Sequence, residues 1–236
     1  MTQLLISVTS VEEAQLALDN GADIIDLKDP HSGALGALPI LHIKSIVNHL
    51  HTSRNPPLVS ATIGDLPMQA DLILEQVKLL ASAKVDFVKI GFFEASDYHL
   101  CLKALETVTK STNLIAVLFA EYIYPTTIVE DIRYAGFKGL MLDTVHKNGQ
   151  TILYYHTRQY CENLAKKVRH SGMTFGLAGS LRLQDVEELG KVNPTYIGFR
   201  SGVCVQCSRK AALDPQKIIA ISNALSFCCK NATNSW

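Results

Sequence analysis

Three lysines and two aspartates stand out because each lies in or just after a short apolar run. Asp26 and Lys28 are one residue apart in "ADIIDLK", Lys89 lies in "DFVKIGF", and Asp143 and Lys147 follow "GLML". Side chains at positions i and i+2 of a strand point to the same side. We therefore expect the first pair to aim a carboxylate and an ammonium group at one interior spot.

Lysines beside carboxylates suit the chemistry of carbonyl compounds. An amine forms a Schiff base with an aldehyde or ketone only when it is neutral, and burial or a neighbouring cation lowers its pKa toward that state. Lys28 and Lys89, on non-adjacent parallel strands, can supply such a pair of like charges. Asp26 is then expected to orient the lysine or shuttle protons, and Asp143 and Lys147 are candidates for general acid and base. The alternative is a set of structural ion pairs whose lysines reach solvent at a rim.

Two segments rich in small residues near the end of the chain predict a phosphate site. In "GLAGS" (176–180) and "GFRSG" (198–202), backbone N–H groups can approach an anion closely. An arginine there, Arg200 or Arg209, can add charge-assisted hydrogen bonds. The predicted residues for binding substrate or phosphate are Asp65, at the end of another strand, and Gly179, Ser180, Arg200, Ser201 and Gly202. Together with the lysines, they indicate a Schiff-base enzyme for a small phosphorylated carbonyl compound.

The elements that must position these residues repeat along the chain. Amphipathic helical segments separate short β-rich runs at residues 4–8, 22–28, 58–65, 86–92, 114–121, 139–144, 174–180 and 196–202. Such alternation predicts a parallel sheet, because each crossover must cover one face of it. Eight units without a linker predict one α/β domain over residues 1–236, a TIM (β/α)₈ barrel with its chemistry at the C-terminal strand ends. An open doubly wound sheet is the alternative, but the first βα turn lacks G-x-G-x-x-G.

Composition narrows the choice of partner. The chain has a formal net charge of +0 and no basic run, which argues against nucleic acid or an anionic membrane. Its N-terminal apolar run is too short for a signal peptide or a membrane span, so we expect a cytoplasmic protein with reduced cysteines. Cys204 and Cys207 form a C-x-x-C without a second ligand pair, so no metal site is expected. The expected partner is a small phosphorylated aldehyde, and the sequence also allows a homo-oligomer. The role of Glu121, at the end of the run 114–121, is left open.

As an ordered set, the motifs resemble one family. They are "GADIIDLKDPHSGALGA", "VSATIGDLP", "DFVKIG", "MLDTVHKNG", "GLAGSL" and "IGFRSGVC", and they run from the first strands to the last barrel loop. This set is similar to that of the (5-formylfuran-3-yl)methyl phosphate synthases, TIM-barrel lyases of methanofuran biosynthesis in methanogenic archaea with relatives in methylotrophic bacteria. The chain resembles a bacterial-type member. One departure follows the last strand, where "GVCVQCSRKAALDP" lacks a Gly-rich run.

The resemblance implies an activity and assigns roles. The family condenses two molecules of glyceraldehyde 3-phosphate to a furan aldehyde phosphate, releases phosphate and water, and needs no organic cofactor. By motif, Lys28 corresponds to the Schiff-base lysine and Lys89 to the proton acceptor, with Asp26, Asp143 and Lys147 in support. Two alternatives remain open: a class I aldolase of another sugar phosphate, and a barrel that binds phosphorylated metabolites without catalysis.

Overall fold

Eight parallel strands close into a barrel in chain order, as a computed structural model of the chain shows. The structure describes residues 2–93 and 98–233, and for residues 229–233 it describes the backbone alone. Positions 1, 94–97 and 234–236 of the predicted domain lie outside the described residues. The strands are β1 Gln3–Val8, β2 Ile24–Leu27, β3 Leu58–Thr62, β4 Phe87–Gly91, β5 Leu114–Phe119, β6 Gly139–Asp143, β7 Thr174–Leu177 and β8 Tyr196–Phe199. The predicted (β/α)₈ barrel is confirmed.

Helices connect the strands on the outside of the barrel. They are α1 Val11–Asp19, α2 Ile40–Leu50, α3 Ala70–Ala81, α4 Tyr98–Leu105, α5 Ile128–Tyr134, α6 Ile152–Tyr155, α7 Arg158–His170, α8 Val186–Gly190 and α9 Pro215–Thr233. A side-chain cap begins α1: the Ser10 hydroxyl accepts a hydrogen bond from the Glu13 N–H, and the Glu13 carboxylate accepts one from the Thr9 N–H. In the described part of the chain, no helix has the length and apolar character needed to cross a bilayer.

Several strands end earlier than the sequence indicated. β2 stops at Leu27 rather than residue 28, β3 at Thr62 rather than 65, and β7 at Leu177 rather than 180. The polar and glycine residues that follow belong to the βα loops. Lys28 is therefore the first loop residue after β2, one position beyond the strand that carries Asp26.

The barrel has an inner and an outer apolar core. Ile24 packs with Leu5, Met141 and other residues inside the barrel, whereas Ile25 and Leu27 belong to the cluster shared with the helices. This confirms the side assignment expected from the strand period of two.

The same period places the charged residues. Asp26 follows Ile24 by two positions, Lys89 follows Phe87, and Asp143 follows Met141. In these three strands the inward-facing residue is apolar in the barrel interior and charged two positions later, toward the C-terminal end.

Candidate active site

A cavity of about 510 Å³ opens at the C-terminal ends of the strands. The structure brings all five predicted catalytic residues to its lining: Asp26, Lys28, Lys89, Asp143 and Lys147. Four of the five are buried, and only Lys147 is partly exposed. Ionisable groups withdrawn from water to this extent depend on one another for compensation.

Asp143, the last residue of β6, serves two lysines. Its Oδ2 lies 3.6 Å from Lys28 Nζ and its Oδ1 lies 2.8 Å from Lys147 Nζ. The Thr144 N–H also donates to Oδ1, at 2.7 Å. Burial alone would raise the pKa of Asp143, but Lys147 and Lys28 outweigh it and hold that pKa well below its usual range. Asp143 is therefore a carboxylate shared by two cations.

Of the three lysines, Lys28 has the fewest close contacts that compensate the positive charge of its ammonium group. Its contact with Asp143 is longer than a hydrogen bond, and its ammonium has no hydrogen-bond acceptor among the described residues. Burial lowers the pKa of Lys28 to about 8; Asp143 opposes this shift, and the neighbouring Lys147 and Lys89 ammonium groups reinforce it. The neutral amine of Lys28 is consequently much easier to reach near neutral pH than that of an ordinary lysine.

Asp26 is paired with Lys89, not with Lys28. Lys89 Nζ lies 2.6 Å from Asp26 Oδ1. Ser60 Oγ donates to the same oxygen at 2.7 Å, and Ser7 Oγ donates to Oδ2 at 2.9 Å. Asp26 and Lys28 line one cavity, as expected, but they do not pair with each other, because Lys28 lies beyond the end of β2 while Lys89 reaches Asp26 from β4. Burial would raise the pKa of Asp26, but Lys89 and Lys28 overcome it and keep that pKa below its ordinary value.

Glu121 holds the loop that carries Lys147. Its two carboxylate oxygens accept hydrogen bonds from the N–H groups of Val145 and His146, at 3.0 and 2.9 Å. Lys147 follows directly and donates to Asp143 and to the Thr144 carbonyl. The structure thus answers the question that the sequence left open: Glu121 contacts the β6 loop and positions it.

The loop after β7 presents free backbone donors to the cavity. Gly179 and Ser180 line the cavity and both have left-handed backbones, with φ of +106° and +54°. Among the described residues, no backbone acceptor binds the N–H groups of Gly179 and Ser180. Consecutive N–H groups in such a bend form a concave anion site. Ser201, from the loop after β8, lines the same cavity.

Comparison with known proteins identifies the family. The profile described as 4-HFC-P synthase matches residues 4–222, most of the chain. The chain belongs to the 4-HFC-P synthase family. A Methylorubrum extorquens protein, whose name assigns it provisionally to the (5-formylfuran-3-yl)methyl phosphate synthases, is 36% identical over 227 residues, covering 94% of this chain and 91% of that protein. The (5-formylfuran-3-yl)methyl phosphate synthase of Methanococcus maripaludis strain C7 is 29% identical over 218 residues, 87% of this chain and 91% of its own length.

Solved structures share the fold of this 4-HFC-P synthase family member. The phosphoribosyl anthranilate isomerase of Thermus thermophilus superposes with a TM-score of 0.69 at 18% identity, covering 96% of this chain and 99% of that one. At this level of identity the likeness concerns the barrel architecture.

Arg200 lines the cavity, but its guanidinium is not free to bind a phosphate. The prediction that Arg200 binds phosphate is therefore corrected. Its guanidinium forms a two-pronged ion pair with Glu13, at 2.6 and 3.1 Å. Its remaining N–H groups donate to the main-chain carbonyls of Ser7, Arg209 and Ala211. An arginine has five N–H donors, and all five are engaged. In this 4-HFC-P synthase family member, Arg200 ties the loop after β8 to α1.

Unlike Arg200, Asp65 and Gly202 lie outside the cavity lining, although they were predicted to bind substrate. Both oxygens of Asp65 accept hydrogen bonds, at 2.6 Å each, from the N–H groups of Ala34 and Leu35. Asp65 therefore shapes the loop after β2. Gly202 is buried, and the space that a Cβ atom would need there is filled by the Leu181 carbonyl. Close packing of two loops explains this glycine.

The sequence reasoning overlooked several polar residues of the site. Ser7 and Ser60 hold Asp26 by their hydroxyl groups, and Arg182 and Lys210 line the cavity near its mouth. The serines had one available signal: they occupy strand positions of the same inward-facing kind as Asp26.

The C-x-x-C cysteines differ in their surroundings. Cys204 is buried and its Sγ contacts the Arg200 carbonyl, whereas Cys207 is exposed. Within residues 2–93 and 98–233, no group of three His, Cys, Asp or Glu side chains has an arrangement that could hold a metal ion.

Proposed function

We propose that this chain condenses two molecules of glyceraldehyde 3-phosphate to (5-formylfuran-3-yl)methyl phosphate, with loss of phosphate and water, through a Schiff base on Lys28. The observation that carries the proposal is the state of Lys28. Its amine lines the cavity, is buried beside other ammonium groups and has a pKa lowered to about 8. A neutral amine in a cavity is the nucleophile that this reaction requires.

The first steps use the Asp143 cluster. The Lys28 amine adds to the aldehyde carbon of the first triose phosphate, and the carbonyl oxygen becomes the hydroxyl of a carbinolamine. Loss of that hydroxyl as water requires a proton donor, and the ammonium of Lys147, hydrogen-bonded to Asp143, is available in the cavity. The product is an iminium ion on Lys28, which the Asp143 carboxylate stabilises by its negative charge.

Lys89 and Asp26 serve the carbon–carbon step. Removal of the proton on the carbon next to the iminium gives an enamine, and the enamine carbon attacks the aldehyde of a second triose phosphate. In the free enzyme Lys89 donates to Asp26. We assign it a cycle in which it passes a proton to Asp26, accepts the proton from carbon as the neutral amine, and returns that proton to the aldehyde oxygen of the second triose phosphate. Ring closure, elimination of phosphate and water, and hydrolysis of the bond to Lys28 follow, with a net loss of one phosphate and two water molecules and with the Lys28 amine regenerated.

The phosphate of the first triose phosphate is assigned to the loops after β7 and β8. The unbonded N–H groups of Gly179 and Ser180 supply donors without a side-chain charge, and the Ser201 hydroxyl adds another. This placement keeps the phosphate at the barrel mouth while the aldehyde carbon reaches Lys28.

The proposal is tested by incubating the protein with glyceraldehyde 3-phosphate in the presence and absence of borohydride. We expect borohydride to trap a reduced adduct on Lys28, located by peptide mass spectrometry, and untreated reactions to develop the absorbance of a furan aldehyde. Lys28→Ala should lose both signals, and Lys166→Ala, an exposed lysine of α7, should keep both.

Each other result selects an alternative. An adduct on Lys28 without a furan product would indicate a class I aldolase of another sugar phosphate. Binding of glyceraldehyde 3-phosphate with neither adduct nor turnover would indicate a barrel that only binds phosphorylated metabolites. Full activity in Lys28→Ala would refute the assignment of the nucleophile.

A further inference from the structure

Arg209 spans the mouth of the cavity. It lies in the loop between β8 and α9, and its Nη2 donates to the Gly33 carbonyl, in the loop after β2, at 2.9 Å. The side chain is half-buried and lines the cavity. Strand β1 lies between β8 and β2 in the barrel, so the guanidinium crosses one strand of the rim.

The two arginines of this loop are used differently. Arg200 has all five N–H groups bonded within the protein. Arg209 makes a single hydrogen bond, to Gly33, and no ion pair with any described residue. Four of its N–H donors therefore have no acceptor among the described residues, and the side chain lines the cavity.

Two of the carboxylates whose charges act on Arg209, Asp29 and Asp65, are occupied by the loop after β2, and the third, Asp143, is bound by Lys147 and lies near Lys28. Asp29 accepts from the Ser32 hydroxyl and the His31 N–H, and Asp65 accepts from two backbone N–H groups of the same loop. These aspartates shape the loop that provides the Gly33 carbonyl. They leave the charge of Arg209 without a bonded partner, which is unusual for a half-buried arginine.

The charge balance of the cavity calls for more than one anion. Seven lysine and arginine side chains line it, against two aspartates, Asp26 and Asp143. Arg200 is neutralised by Glu13, which leaves an excess of four positive charges, or three when Lys28 is neutral. A phosphate monoester carries about −1.5 to −2 at neutral pH. Two such groups match the excess, and one does not.

We propose that the mouth of the cavity contains a second phosphate subsite centred on Arg209, with Lys210 beside it, which binds the phosphate of the second triose phosphate. The inference rests on the proposed function and extends it. The Gly179–Ser180 bend holds the phosphate of the molecule attached to Lys28, and Arg209 holds that of the molecule to be attacked. Arg209 and Lys210 belong to the segment after β8, "GVCVQCSRKAALDP", which lacks a Gly-rich run. In this chain two positively charged residues thus occupy that segment.

The test separates the two binding events. Borohydride trapping on Lys28 at increasing glyceraldehyde 3-phosphate reports the first, and the KM for furan formation reports the second. For Arg209→Gln we expect trapping to saturate within about twofold of the wild-type concentration. The KM for furan formation should rise about 10- to 100-fold, the effect of losing a charge-assisted hydrogen bond. Arg209→Lys should fall between these values, and Lys166→Gln should match the wild type.

Other outcomes refute this subsite. An equal loss of trapping and condensation in Arg209→Gln would place Arg209 at the first phosphate, and unchanged kinetics would remove it from both. If Arg209→Gln does not fold, Lys210→Gln, a change at an exposed side chain, tests the same subsite and should also raise the KM for condensation alone. Absence of trapping in the wild type would instead overturn the Schiff-base proposal, so the two failures are distinguishable.

Discussion

Replacing Lys28 with methionine should stabilise the protein while abolishing its chemistry. Lys28 is 7% exposed, and its pKa falls from 10.5 to about 8 on folding. This decrease means that carrying the charge costs more in the folded chain than in water, even with Asp143 nearby. Methionine has a similar length, fills irregular space well and carries no charge.

The size of the gain follows from the pKa. One pKa unit corresponds to about 1.4 kcal/mol, so a decrease from 10.5 to about 8 gives roughly 3 kcal/mol. Below pH 8 both the folded and the unfolded wild type hold the proton on Lys28, and the full penalty applies. Between pH 8 and 10.5 the unfolded chain binds that proton and the folded chain releases it, so the wild type gains stability as pH rises. The advantage of Lys28→Met should therefore be largest at pH 7 and should vanish by about pH 10.5.

Urea denaturation of both proteins at several pH values provides the measurement. Taking the difference between variant and wild type at each pH cancels the titration of groups common to both. Lys147→Met is the matched control: Lys147 donates hydrogen bonds to Asp143 and Thr144, so its loss should destabilise the protein. The reasoning is refuted if Lys28→Met is less stable than the wild type at pH 7, or if its advantage does not change with pH.

Three further substitutions test the surrounding groups. Asp143→Asn removes the negative charge beside Lys28 and Lys147, so the free energy of unfolding should fall by about 3–5 kcal/mol. The pKa of Lys28, about 8 in the wild type, should fall further, which would lower the pH midpoint of borohydride trapping. An upward shift of that midpoint would contradict the contact between Lys28 and Asp143. Ser60→Ala removes a donor to Asp26 and should lower the free energy of unfolding by about 1.5–3 kcal/mol, whereas an unchanged midpoint in urea would count against the bond. Glu121→Ala frees the loop that carries Lys147; turnover should fall about tenfold or more at unchanged expression, and undiminished turnover would show that the loop holds its shape alone.

The sequence predicted the barrel and the convergence of the five candidate catalytic residues on one cavity, because both follow from periods along the chain. Alternation at every second residue shows that Asp26, Lys89 and Asp143 face inward, and the βα repeat shows that they share one end of the barrel. It does not show how far neighbouring strands are staggered. In the structure Asp26 is level with Ser60, and Lys89 is level with Thr62. The pairing of Asp26 with Lys89 depends on that stagger and on the long, flexible lysine side chain.

Non-local partners explain the failures at the phosphate site. Arg200 has the right residue type and the right loop, but Glu13, at the start of α1, binds its guanidinium across the β1–β8 seam of the barrel. Asp65 lies in the loop after β3, yet its carboxylate binds the N–H groups of Ala34 and Leu35 in the loop after β2. In both cases the local pattern predicts an available charged group, and only the closed barrel shows that a segment distant in sequence has already occupied it.

The unequal sharing of two carboxylates among three lysines distinguishes Lys28, the proposed nucleophile, from the other two. Lys89 is at least as buried as Lys28, 2% against 7% exposed, so burial alone does not distinguish them. Lys89 has Asp26 to itself at 2.6 Å, whereas Lys28 lies 3.6 Å from Asp143, whose other oxygen binds Lys147. A second carboxylate beside Lys28 would restore its proton and remove the nucleophile. In the proposed mechanism, the absence of a second carboxylate beside Lys28 therefore serves the function. It also lowers the stability of the protein at neutral pH, and Lys28→Met should restore that stability.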